Sequence, residues 1–140
     1  MAEFTTIGVV EVSAGGNIPF TETAVKGSSC VYHRDGAGAV TLRGLTNQCY
    51  ARFKVSYGGN IAVTEDGTAE EISVAITVNG EPLESAKAIF TPAAVAEYGN
   101  VFTAVFVLVP KGCCTTVAVE NTSSQSIDVA NSNLIVERVA

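Results

Sequence analysis

His33-Arg34-Asp35 and the four cysteines Cys30, Cys49, Cys113 and Cys114 are the residues of this chain whose types could do chemistry. A histidine beside a carboxylate suits proton transfer, and thiolates with a histidine suit zinc. The spacing supports neither. His33 is the single histidine, so a catalytic triad would depend wholly on it, and no GxSxG elbow supplies a serine. The three letters match a kinase catalytic loop, but no glycine-rich loop, partner lysine strand or DFG accompanies them, and an exposed turn is expected instead. No CxxC pair occurs, and adjacent Cys113 and Cys114 would point to opposite faces of a strand, so reduced, buried thiols acting as small hydrophobes are expected. The carboxylates Asp66, Glu70, Glu71 and Asp128 show no calcium-loop spacing and no acid/base pairing. Gly36-Ala37-Gly38 leads into a strand, whereas a phosphate cradle needs a helix N-terminus behind its glycines. This inventory predicts no enzyme, no metal site and no cofactor.

Two weaker signals remain. Asn121-Thr122-Ser123 is formally a glycosylation sequon, read here as a polar hairpin tip. Tyr50, Tyr57 and Tyr98 could line a sugar site, but no tryptophan reinforces them.

The elements that must carry these residues are strands. The chain has 140 residues, enough for one domain over 1–140 that buries roughly two thirds of its unfolded surface without disulfides. Its hydrophobic share is 47% against 16% charged, rich in valine, threonine, glycine and alanine, which is β composition. The net charge of −6 comes without blocks of like charge and with dispersed basic residues, so nucleic acid is not an expected partner. No apolar run reaches the ~20 residues of a membrane helix. Met1-Ala2-Glu3-Phe4 lacks a basic start, so synthesis in a cytoplasm without export is expected.

Short extended runs alternate with turns. Strands are expected over 6–12, 29–33, 39–43, 48–57, 61–63, 71–78, 83–90, 115–120, 126–129 and 133–139. Asn79-Gly80 is the strongest hairpin signal, since both residues accept the positive φ of a type I′ turn. Thr91 to Gly99 is the one helix candidate, with Pro92 at its first position. In 48–57, Cys49, Ala51, Phe53, Val55 and Tyr57 form an inward row, while Ile72 to Val78 is expected to be half-solvated, its Ser73, Ala75 and Thr77 facing out. The rhythm predicts an all-β, two-sheet antiparallel jelly-roll sandwich.

One strand breaks the alternation. In Asn100 to Val109, Val101, Val105, Val107 and Val109 point one way and Phe102, Ala104, Phe106 and Leu108 the other, so neither face suits water. One face filling the core and the other a subunit interface accounts for this, and internal cover by a loop or short helix is the alternative.

The run VPKGCCTTVAVENTSSQSIDVANSNLIVERVA, Val109 to Ala140, resembles the last strands of the tumour necrosis factor and complement globular head superfamily, particularly the bacterial branch on spore-surface collagen-like glycoproteins. Unlike those proteins, this chain has no Gly-X-Y stalk. TIGVVEVSAGGNIPFTE, GLTNQCYARF and VPKGCCTTVAVENTS are similar to small virion structural proteins of phages and prophages of Firmicutes. The resemblance implies a TNF-like homotrimer, with Phe102, Phe106 and Leu108 in the interface, and Tyr50 or Tyr57 and Ile135 as further positions. It implies a non-enzymatic capsid decoration or head-fibre protein on the virion surface, with the major capsid protein or another virion protein as partner. The alternative is a host-receptor or glycan-binding trimeric module, which an exposed aromatic or carboxylate cluster around His33 to Asp35 or Asp66 to Glu70 would favour. The expected lack of an export signal argues against a third reading, a cytokine-like signalling trimer.

Overall fold

The structure, a computed structural model, describes residues 1–112 and 114–139. Ten strands make up its regular structure: β1 (Ala2–Val12), β2 (Glu22–Val25), β3 (Val31–His33), β4 (Val40–Arg43), β5 (Tyr50–Val63), β6 (Ile72–Val78), β7 (Glu81–Phe90), β8 (Gly99–Pro110), β9 (Cys114–Asn121) and β10 (Ile127–Arg138). They form two five-stranded sheets, ordered β2-β1-β10-β5-β8 and β3-β4-β9-β6-β7, with every pairing antiparallel. The chain is an all-β jelly-roll sandwich, as its rhythm predicts.

The core lies between the sheets, where the inward rows of both meet. Phe53, Tyr57, Ile61 and Leu134 from the first sheet face Leu42, Ile72, Ile76 and Val119 from the second, all buried. Ile18 and Phe20, on the connection after β1, are buried with them, and Phe20 meets the Tyr57 ring edge-on at 6.4 Å. Tyr57 directs its hydroxyl to Ser132 Oγ at 3.1 Å, so its one polar atom is satisfied. Tyr57 is thus not an interface position: seven residues after Tyr50, it faces the opposite side of β5 and fills the core.

Other expectations are also corrected. Thr91 to Tyr98 forms bends and turns, and no helix occurs among the described residues. Only Pro92 of this segment is buried, and Ala96 adopts φ 59° while donating its N–H to Val63 O at 2.8 Å. Two helical turns with so little to bury cannot offset their nucleation cost. Gly58-Gly59-Asn60 does not end a strand, because β5 runs on through it, paired with β8 and β10. The two expected C-terminal strands are one, β10, irregular between Ala130 and Asn133 where Asn131 takes φ 51°. Ile72 to Thr77 is buried on both faces, since β6 is flanked by β7 and β9 and Ser73 is covered by hydroxyls of Thr122 and Ser123. Met1 aside, the N-terminal segment belongs to β1, with Ala2 and Phe4 in the core.

Candidate functional site

The outer face of the first sheet carries a cluster of exposed large apolar side chains. Along edge strand β8, Phe102 and Phe106 are each 67% exposed and Leu108 55%, although Val101, Val107 and Val109 on the other side of the strand are buried. Strand parity therefore decides which face is free. The register then sets the neighbours. Phe102 pairs with Gly58, Ala104 with Ser56, Phe106 with Lys54 and Leu108 with Arg52, while Tyr50, 47% exposed, stands opposite Pro110. One strand further, Ile135 opposes Ser56 and Glu137 opposes Lys54 on β10. Glu3 on β1 opposes Ile135 and accepts a hydrogen bond from Asn133 Nδ2 at 3.0 Å.

The face is thus striped. An apolar edge on β8 adjoins two cations on β5, and these adjoin the acidic Glu137 and Glu3 on β10 and β1. Opposite Phe102, a Cβ at Gly58 would stand 3.1 Å from Asn133 Oδ1, while Phe102 Cδ2 at 3.8 Å would remain in ordinary contact. Ile135 is half-buried at the centre, and Ile7 and Val9 extend the exposed apolar area along β1 on either side of Gly8 in its bulge. Of the sequence-predicted positions, the structure brings Phe102, Phe106, Leu108, Tyr50 and Ile135 onto this one face. Arg52, Lys54, Ile7 and Val9 share it and were not singled out, because exposed charges and a bulge-shifted register carry no signal of their own.

A second feature is a cavity of ≈ 690 Å³ where β3 and the loop after β2 meet β1 and β4, lined by Thr23, Lys26, Tyr32, His33, Asp35 and Arg43 among others. His33 stacks on Phe4 at 4.5 Å, and its Nε2 donates to Ala37 O at 2.9 Å. That bond leaves Nδ1 buried with no hydrogen-bond partner, 3.7 Å from Asp35 Oδ1. Asp35 also accepts from Thr23 Oγ1 at 2.8 Å. The Arg43 guanidinium lies 5.7 Å from the Tyr32 ring centroid and donates to Ser29 O. The exposed turn expected at His33-Arg34-Asp35 is therefore half right: Arg34 and Asp35 are exposed, but the His33 side chain is buried.

The remaining candidates separate. Thr68 N and O and the Glu70 carboxylate are held by the Gln125 side chain, so the 66–70 loop is tied to its neighbour. Burial, and then the nearby Glu65, holds the Asp128 carboxyl above its ordinary range. Asn121 is no exposed tip: its buried Nδ2 donates to Val12 O, Ser13 O and Gln125 O, and its Oδ1 accepts from Ser123 N. Cys30 is buried and accepts from Arg138 at 3.2 Å, whereas Cys49 and Cys114 are exposed, contrary to the expectation of buried thiols. Cys113 lies outside the described residues. Among the described residues, no three His, Cys, Asp or Glu side chains gather as a metal site.

Two five-stranded antiparallel sheets in this arrangement match the jelly-roll fold of solved tumour necrosis factor and complement-head domains. The globular domain of zebrafish complement 1qA superposes with a TM-score of 0.64 at 9% identity, covering 96% of this chain and 94% of that one. The Eiger TNF of S. frugiperda gives 0.66 at 16% identity, over 99% and 91%. Murine APRIL gives 0.61 at 8%, over 95% and 97%. No protein-family model and no curated protein sequence matches the chain. At such identities the likeness is one of fold.

Proposed function

We propose that this protein is a non-enzymatic homotrimeric building block that acts through its surfaces, as a capsid decoration or head-fibre protein on a phage or prophage virion. The observation that carries the assembly reading is the exposed row Phe102, Phe106 and Leu108 on a strand whose other face is already committed to the core. Covering three such side chains removes apolar area worth roughly 1.5–3 kcal/mol for each one fully buried. The stripes also suit a cyclic arrangement. A heterologous interface sets one region of a protomer against a different region of the next, and closes when the rotation allows. The apolar edge of one protomer packing beside the β10 and β5 stripes of its neighbour would bring Arg52 and Lys54 near Glu137 or Glu3 of another copy. The virion role rests on the sequence resemblance and on the lack of a recognisable catalytic constellation.

Light scattering on the purified chain, with and without reductant, is expected to give three times the chain mass in both conditions. Phe106→Asp is expected to reduce this to the monomer while circular dichroism stays that of the folded sandwich. An unchanged particle size would overturn the interface. For the virion role, the chain is expected among the proteins of density-purified phage particles. Its absence from them would remove that part of the proposal.

A further inference from the structure

We infer that the cavity beside β3 is a binding site for a sugar acid, a pyranose that carries a carboxylate. The inference is independent of the assembly reading, since none of the residues it uses lies in the apolar row on β8. Three observations converge. The first is charge: in a chain with 8 basic and 14 acidic residues, Lys26 and Arg43 both line this one cavity. Lys26 makes no ion pair or hydrogen bond among the described residues, and Arg43 spends one donor on Ser29 O, which leaves guanidinium N–H groups for a carboxylate.

The second observation is an unmet acceptor. His33 Nε2 donates to Ala37 O, while its buried Nδ1 has no hydrogen-bond partner and lies 3.7 Å from Asp35 Oδ1. Buried polar atoms without partners are rare enough to need a reason. Asp35 is 62% exposed, so its side chain can turn to admit a ligand hydroxyl beside Nδ1. The third is shape. A cavity of ≈ 690 Å³ is in the range of small-ligand sites, and Tyr32 supplies the aromatic wall on which a pyranose face packs. Inorganic phosphate would satisfy the two cations but would set its charge against the Asp35 carboxylate and offer no sugar face to Tyr32. A neutral hexose would supply donors and leave the cations unanswered. A sugar acid meets both requirements.

The test is titration of the isotope-labelled full-length chain with glucuronate, glucose and inorganic phosphate, followed by amide shifts and by the imidazole ¹⁵N shifts of His33. Glucuronate is expected to bind in the millimolar range, at least tenfold tighter than glucose or phosphate. Shifts should be confined to the cavity lining, with His33 Nδ1 moving as it accepts a hydrogen bond. Arg43→Gln and Lys26→Gln are each expected to weaken glucuronate about tenfold without changing glucose binding, a loss of one charge-assisted contact. Phosphate binding as tightly as glucuronate would reduce the site to a general anion site and overturn the inference. So would shifts scattered outside the cavity, or none with glucuronate at millimolar excess.

Discussion

Single side chains in this fold are fixed by the polar atoms they bring inside. Asn121 bridges the end of β1 to the 121–125 turn through four hydrogen bonds, which is why a sequon-like triplet sits where no glycan could be attached without unmaking the core. Tyr57 is the other such residue. Burial, only partly opposed by the bond to Ser132, pushes its hydroxyl from the ordinary value of 10.0 up to about 12. The folded state therefore holds this proton better than the unfolded chain, and the contribution is full below pH 10.0. It is lost as pH rises through the folded value, a decline of roughly 3 kcal/mol in all. Urea denaturation across that window is expected to show the decline in the parent chain and a clearly smaller one in Tyr57→Phe. Equal declines would mean that Tyr57 ionises as freely in the fold as outside it. At neutral pH the same variant should cost about 1 kcal/mol, since Ser132 Oγ loses its partner.

At the scale of elements, what was legible in the sequence was whatever depends on local alternation. The β6–β7 hairpin is one case: Asn79 and Gly80 take φ 52° and 84°, as a type I′ turn requires, and the strands pair on either side of it. The inward row of β5 from Ala51 to Tyr57 is another. What could not be read were features set by partners distant in sequence. The uninterrupted β5 is one, because two glycines look like a turn until their neighbours are known. Gly59 is required there for a reason of packing: a Cβ would stand 2.6 Å from Tyr57 Oη and 2.9 Å from Ser132 Oγ. The two glycines thus predict different costs. Gly80→Ala should destabilise by about 1–2 kcal/mol, the strain of a left-handed backbone with nothing nearby to clash. Gly59→Ala should cost more, about 3 kcal/mol, by driving apart a buried hydrogen-bonded pair. Chemical denaturation of both variants tests the ranking, and a reversed order would show that the Tyr57–Ser132 pair yields easily. The binding cavity was legible only as the triplet at 33–35, because Lys26 and Arg43 reach it from other strands and loops.

For the whole molecule, the doubly apolar β8 was the most informative run in the sequence, and the structure gives its meaning a direction. The parity of Val101 to Val109 sends one set into the core and leaves Phe102, Phe106 and Leu108 on the rim of the first sheet. An exposed edge strand with such a row is an aggregation hazard unless it is covered, and β8 carries no charge or bulge of its own to protect it. Self-assembly resolves that hazard only if the folded protomer and the oligomer are linked equilibria. The melting temperature should then rise with protein concentration, because assembly stabilises the native state by mass action. It should rise less in Phe106→Asp, where the linkage is cut. Salt separates the two kinds of contact across the stripes. Screening at high ionic strength weakens ion pairs between the Arg52/Lys54 stripe and the Glu137/Glu3 stripe but leaves apolar burial intact. A particle mass that persists in molar sodium chloride would assign the assembly to the β8 row, and dissociation there would assign it to the charged stripes instead.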